Sequence, residues 1–148
     1  MKTIDDILHY FNTKERAMIV RPATADDLSL CQRYMSELEY PPIPQEYADF
    51  LSKLNGFAWN GIQIHGTDQV TNPVNNFTLK DIVTANEDFY EYCEGFEHYF
   101  YFGDAGEWFY IYNTESKRWG VMERSGRAVL KEYDTFEEFF VTEVSRRI

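Results

Sequence analysis

His98, Asp104 and Glu107 are the side chains best suited to acid–base chemistry in this chain, an imidazole and two carboxylates lying close together in sequence. Residues of these types exchange protons near neutral pH. The rest of a catalytic constellation is missing around them. The sequence has no nucleophile elbow, no phosphate-cradling glycine loop and no metal-ligand spacing, the patterns that bring such chemistry with them. Cys93 and His98 are separated by four residues, but zinc takes three or four convergent ligands and no local partner completes the set. His9 and His65 stand apart from both cysteines. Cys31 and Cys93 are too few for a disulfide framework and read as two core thiols in a reducing compartment. The chain is therefore expected to be non-enzymatic, with no metal site.

Charge carries more information. The net charge is −11, and the stretch from Asp81 to Glu115 holds nine acids with no Lys or Arg, so nearly all the excess lies in one quarter of the sequence. Such a region makes a poor partner for nucleic acid or anionic membrane and a good one for a basic protein surface. The candidate partner-binding residues are Glu87, Asp88, Glu91, Glu94, Glu97, Asp104 and Glu107. Glu87, Glu91 and Glu94 form a like-charged helical stripe, and like charges at i,i+4 oppose folding by about 0.2–0.5 kcal/mol a pair. The plainer reading is a solubilising face covered by Lys and Arg from elsewhere in the fold. The aromatic strands offer a third use, a sugar- or peptide-stacking surface built on Trp59, Trp108, Trp119 and either Tyr99 and Tyr101 or Phe100 and Phe102, although such residues serve mainly as core and cross-strand pairs.

These residues must be positioned by a single domain, for which the length and the 44% hydrophobic content suffice. No run is apolar and long enough for a membrane span, and Asp5-Asp6 replaces the basic flank of a secretory leader, so a cytoplasmic location is expected. Threonine boxes at Thr3, Thr24 and Thr135 predict helices over residues 4–12, from Thr24 to before Tyr40, and after Thr135. Tyr47, Phe50, Leu51 and Leu54 predict another from Pro44 to Asn55, ended by Asn55-Gly56. Gly61 to Gly66 alternates as a short strand, Thr67 to Thr78 reads as a loop, and Lys80 to Cys93 as a helix with Ile82, Asn86, Phe89 and Cys93 inward. Aromatic strands then follow at 98–102, 107–112, 118–122 and 127–133, with Gly103-Asp104-Ala105-Gly106 as a hairpin turn. This order predicts an α+β fold, a mostly antiparallel sheet with helices packed on one face. Residues 1–40 form an N-terminal helical extension to a core over 41–148.

Two landmarks give the chain a resemblance to the SUKH superfamily, which includes fungal cell-wall synthesis regulators and bacterial toxin-immunity proteins. The first is the proline, Tyr47, Phe50-Leu51 and Asn55-Gly56 series leading to Ile64-His65-Gly66. The second is Gly103-Asp104 with Gly106 between aromatic strands, followed by the Phe-rich helix after Thr135. The resemblance covers about residues 40–146 and departs at Phe57, where members often carry a second glycine. It implies an α+β fold, no cofactor and no catalytic residues. It also implies that the partner is a cognate protein toxin, often a nuclease, which the chain binds and neutralises. The alternative it implies is a regulatory or scaffold module binding a host protein.

Overall fold

The computed structural model describes residues 2–147. Thr3 and Thr24 cap α1 (Ile4–Asn12) and, beyond β1 (Met18–Ile19), α2 (Ala25–Glu37). In each box the threonine hydroxyl and an aspartate three residues on satisfy amides that a helix start leaves unpaired. α3 (Gln45–Leu51) starts after Pro44 but stops short of the expected Asn55. The amides of Lys53 and Leu54 both turn back to the Phe50 carbonyl, and the Asn55 amide leaves the helix for Val20.

Asn55-Gly56 is consequently a backbone crossing. Asn55 is buried, with Oδ1 accepting from the Thr67 amide and Nδ2 donating to the Thr67 hydroxyl, both at 2.8 Å. A Cβ on Gly66 would lie 2.1 Å from the Asn55 carbonyl oxygen, and one on Gly56, whose φ is +94°, 2.7 Å from that of Ile64. No side chain fits between segments this close.

After the crossing come β2 (Phe57–Trp59) and β3 (Ile62–Ile64), joined through Asn60 (φ 49°) and Gly61 (φ 85°). Two positive-φ residues make the I′ turn that matches strand twist. The sequence pattern predicts no strand between Gly56 and Gly61. β4 (Val70–Thr71) and β5 (Thr78–Leu79) form a small ribbon inside the expected loop. Then follow α4 (Ile82–Tyr92), β6 (Tyr99–Ala105), β7 (Trp108–Asn113), β8 (Arg118–Glu123), β9 (Val129–Tyr133) and α5 (Phe136–Ser145). The main sheet runs β1-β2-β3-β6-β7-β8-β9 with every neighbouring pair antiparallel, so the fold is α+β. Gly103 to Ala105 belongs to β6, and the expected four-residue turn shrinks to Gly106-Glu107.

Both sheet faces are buried. Phe100 and Phe102 point into the larger core with Tyr47, Phe50, Trp119, Phe136, Phe139 and Phe140, while Tyr99, Tyr101, Phe109, Ile111 and Met122 point into a second cluster. The choice between the tyrosine and phenylalanine pairs as the exposed set thus has no winner. Ile7, Phe11, Cys31 and Met35 enter the larger core, so the N-terminal helices share it with the rest of the chain. α1, α3 and α5 lie over that one face, but α4 does not keep to it: Ile82 reaches the larger core, and Ala85, Phe89 and Cys93 the second cluster.

The reason is β6. β3 ends opposite Gly103, so Tyr99 to Tyr101 have no strand on that side. Asn86 occupies the gap: its Oδ1 accepts from the Tyr101 amide at 3.0 Å and its Nδ2 donates to the Tyr101 carbonyl at 2.8 Å, while the Tyr90 hydroxyl donates to the Tyr99 carbonyl. Backbone groups buried without partners are costly, and a helix laid along an open strand edge removes that cost. Phe89 stacks on Tyr101, with ring centroids 5.0 Å apart and planes 3° from parallel. Asn86→Ala leaves the Tyr101 N–H and C=O unpaired at a buried site, so it should lower unfolding free energy by about 2–4 kcal/mol, measured by urea denaturation. An exposed control, Glu87→Gln, should stay within about 0.5 kcal/mol.

Candidate functional site

Tyr101 and Asp104 are three residues apart, yet they lie on the same face of β6. Strand alternation alone would separate them, but the β6–β7 register slips between Tyr101 and Gly103, and such a bulge adds one residue to one strand. The Tyr101 hydroxyl donates to Asp104 Oδ2 at 2.6 Å. Asp104 sits opposite Gln63 of β3, whose Nε2 donates to Oδ1 at 3.3 Å. Arg124 Nη2 lies 3.6 Å from Oδ2, its guanidinium 4.4 Å from the centre of the Phe109 ring and its Nε donating to the Gly106 carbonyl at 3.1 Å.

His65 follows β3 on the same side as Gln63, since Ile62 and Ile64 occupy the core side. Its amide donates to the Phe102 carbonyl at 2.9 Å, and its own carbonyl accepts the Tyr47 hydroxyl. Only 3% of the residue is exposed. Nδ1 lies 2.8 Å from the Lys80 carbonyl. A carbonyl can only accept, so Nδ1 carries the proton and Nε2 presents a lone pair. Nε2 faces the Tyr101 oxygen at 3.4 Å.

These groups line the inner end of a cleft of about 620 Å³ between α4 and the second face of the sheet, with Asp88, Glu91 and Tyr92 of α4 along one side and Lys80 nearby. Burial holds the His65 imidazole below its usual range, opposed by the Lys80 carbonyl and the Asp104 charge. Burial also raises the Tyr101 phenol, and the Asp104 charge raises it further, so the phenol keeps its proton. Burial likewise pushes the Cys31 thiol up to about 12 and raises that of Cys93. Both cysteines are free and buried. Among the described residues no group of three His, Cys, Asp or Glu side chains is arranged to hold a metal ion, and no helix is long and apolar enough to cross a membrane.

The seven sequence-predicted site residues divide. Asp88, Glu91 and Asp104 meet at the cleft, while Glu87, Glu94, Glu97 and Glu107 are exposed outside its lining. Asp104 is a correction: it lies in a strand, 9% exposed, held by Tyr101, Gln63 and Arg124, and does not sit in an exposed turn ready to dock. Asp88 pairs with Lys80. Among the described residues no Lys or Arg forms an ion pair with Glu87, Glu91, Glu94, Glu97 or Glu107. The pairing of His98 with Asp104 or Glu107 is not assembled, because His98 precedes β6 while both acids lie at its far end, Asp104 roughly 20 Å along at about 3.3 Å per residue. His98 instead faces Glu115, Nδ1 to Oε1 at 3.6 Å. Sequence reasoning missed Gln63, His65 and Arg124 as site residues and placed Tyr101 only in a candidate stacking surface. For Gln63 and His65 the signal was present, since the alternation that turns Ile62 and Ile64 inward turns these two toward the other face.

An unfolded histidine titrates near pH 6.5, whereas folded His65 takes its proton at lower pH. Between those two values the unfolded state binds more protons, so the stability gained from a neutral His65 is present above about pH 6.5 and declines as pH falls. The slope is at most about 1.4 kcal/mol per pH unit, and it levels off below the folded value. His65→Gln should flatten the unfolding free energy against pH below 6.5 by that amount. Parallel profiles for the two proteins would contradict the assignment.

No protein-family model matches the chain, nor does any curated protein.

Proposed function

We propose that the chain is a non-catalytic protein-binding domain of the SUKH immunity type, which neutralises a cognate toxin by docking its acidic surface on the toxin's basic one. The observation that carries this reading is the distribution of countercharges around α4. Lys80 and Arg124 are paired with Asp88 and Asp104, and Arg127 lies over the Tyr92 ring at 4.4 Å while donating to the Tyr92 carbonyl. The nearby cations are thus engaged at the cleft and helix end, while Glu87, Glu91 and Glu94 keep exposed carboxylates. Carboxylates left exposed without countercharge steer a cationic partner and speed its association. A nuclease toxin, with a basic groove for nucleic acid, is the partner class that matches best.

Co-expression with the toxin encoded beside this chain should restore growth of a susceptible host, and no protection with both proteins soluble and folded would contradict the proposal. Replacing Glu87, Glu91 and Glu94 together by Lys should slow association about 10- to 100-fold at low salt and flatten its salt dependence, read by stopped-flow fluorescence. An unchanged rate would remove this stripe from the interface.

A further inference from the structure

We infer that the cleft beside α4 is a receptor for an arginine side chain projecting from a protein partner. This inference rests on the docking reading above and identifies what enters the cleft. It starts from the hydrogen-bond capacity left over inside. The Tyr101 hydroxyl has one proton, given to Asp104 at 2.6 Å, and His65 Nδ1 holds its proton against Lys80. His65 Nε2, on a residue with only 3% exposure, therefore faces an oxygen at 3.4 Å with no proton between them. A buried acceptor without a donor is unfavourable and is satisfied by an incoming N–H.

The charges give the same answer. Lys80 is matched by Asp88 and Arg124 by Asp104, which leaves Glu91 as the unmatched charge in the lining. The Nε2 lone pair and the Glu91 carboxylate are both acceptors, and an occupant that meets both is a cation with several donors. A guanidinium supplies five in a plane and stacks on aromatic rings. The cleft wall already holds guanidinium groups this way, Arg124 over Phe109 and Arg127 over Tyr92.

The test is a titration of the wild-type chain with N-acetyl-L-arginine amide, following the His65 ring nitrogens by long-range ¹H–¹⁵N NMR. We expect a saturable shift of Nε2 with a dissociation constant of order 1 mM, and no such shift with the citrulline amide, which is uncharged and nearly isosteric. The lysine amide should bind at least about fivefold more weakly, lacking the planar fork. Glu91→Gln, a substitution at an exposed position, should weaken the arginine probe about tenfold. No saturable shift, equal binding of citrulline, or an unaltered Glu91→Gln affinity would each overturn the inference. Because the probe involves no toxin, its failure overturns the cleft receptor alone, whereas loss of toxin protection overturns the docking function.

Discussion

The docking of α4 along the open half-edge of β6 is the constraint on which the rest of this molecule depends. Two backbone hydrogen bonds from Asn86 and one from Tyr90 replace the strand that β3 does not extend far enough to provide. Once those bonds fix the helix, Phe89 must stack on Tyr101, which contributes about 0.5–1.5 kcal/mol beyond burial. The helix face opposite Asn86 and Phe89 must then point to solvent. That face carries Glu87 and Glu91. The like-charge cost of the stripe is a few tenths of a kcal/mol, small against the loss of a pair of buried backbone hydrogen bonds, so folding tolerates carboxylates held together.

A second constraint places the cleft floor. The Asn55, Gly56 and Gly66 crossing leaves no room for a Cβ and brings the chain after β3 against the end of α3. There the Tyr47 hydroxyl and the Phe102 carbonyl hold the His65 backbone. The bulge in β6 then turns Asp104 to the side already occupied by Tyr101 and His65. The two glycine-dependent features that carry the SUKH resemblance, near Gly66 and at Gly103, are thus the two that build this floor. At Gly103 a Cβ would come 2.3 Å from the Gln63 carbonyl, so β3 and β6 could not keep their register with any other residue there.

Much of the architecture was legible because it rests on local chemistry. The three threonine boxes mark α1, α2 and α5, and the inward faces Tyr47, Phe50, Leu51, Leu54 and Ile82, Asn86, Phe89, Cys93 are all buried. What was not legible depends on contacts distant in sequence. Asp104 looked like a turn residue because Gly-Asp-Ala-Gly has turn composition, and only the pairing of β3 with β6 makes it a strand residue. β2 was missed although Asn60-Gly61 is a strong hairpin signal, because the helix expected to reach Asn55 left it little room. The buried role of Asn86 was read as a helix-face position, but its task as a substitute strand partner follows from where β3 stops, which no local pattern states.

Both proposed binding features therefore depend on α4 staying seated, since it carries the outward carboxylates and one wall of the cleft. Native-state hydrogen exchange at the Tyr101 amide tests that seating most directly. If Asn86 closes the β6 edge, this amide exchanges only through global unfolding, with an opening free energy equal to that of the central β7 and β8 amides. Exchange at a rate typical of an exposed strand edge, with β7 and β8 still protected, would show that α4 lifts away on its own and would contradict the account.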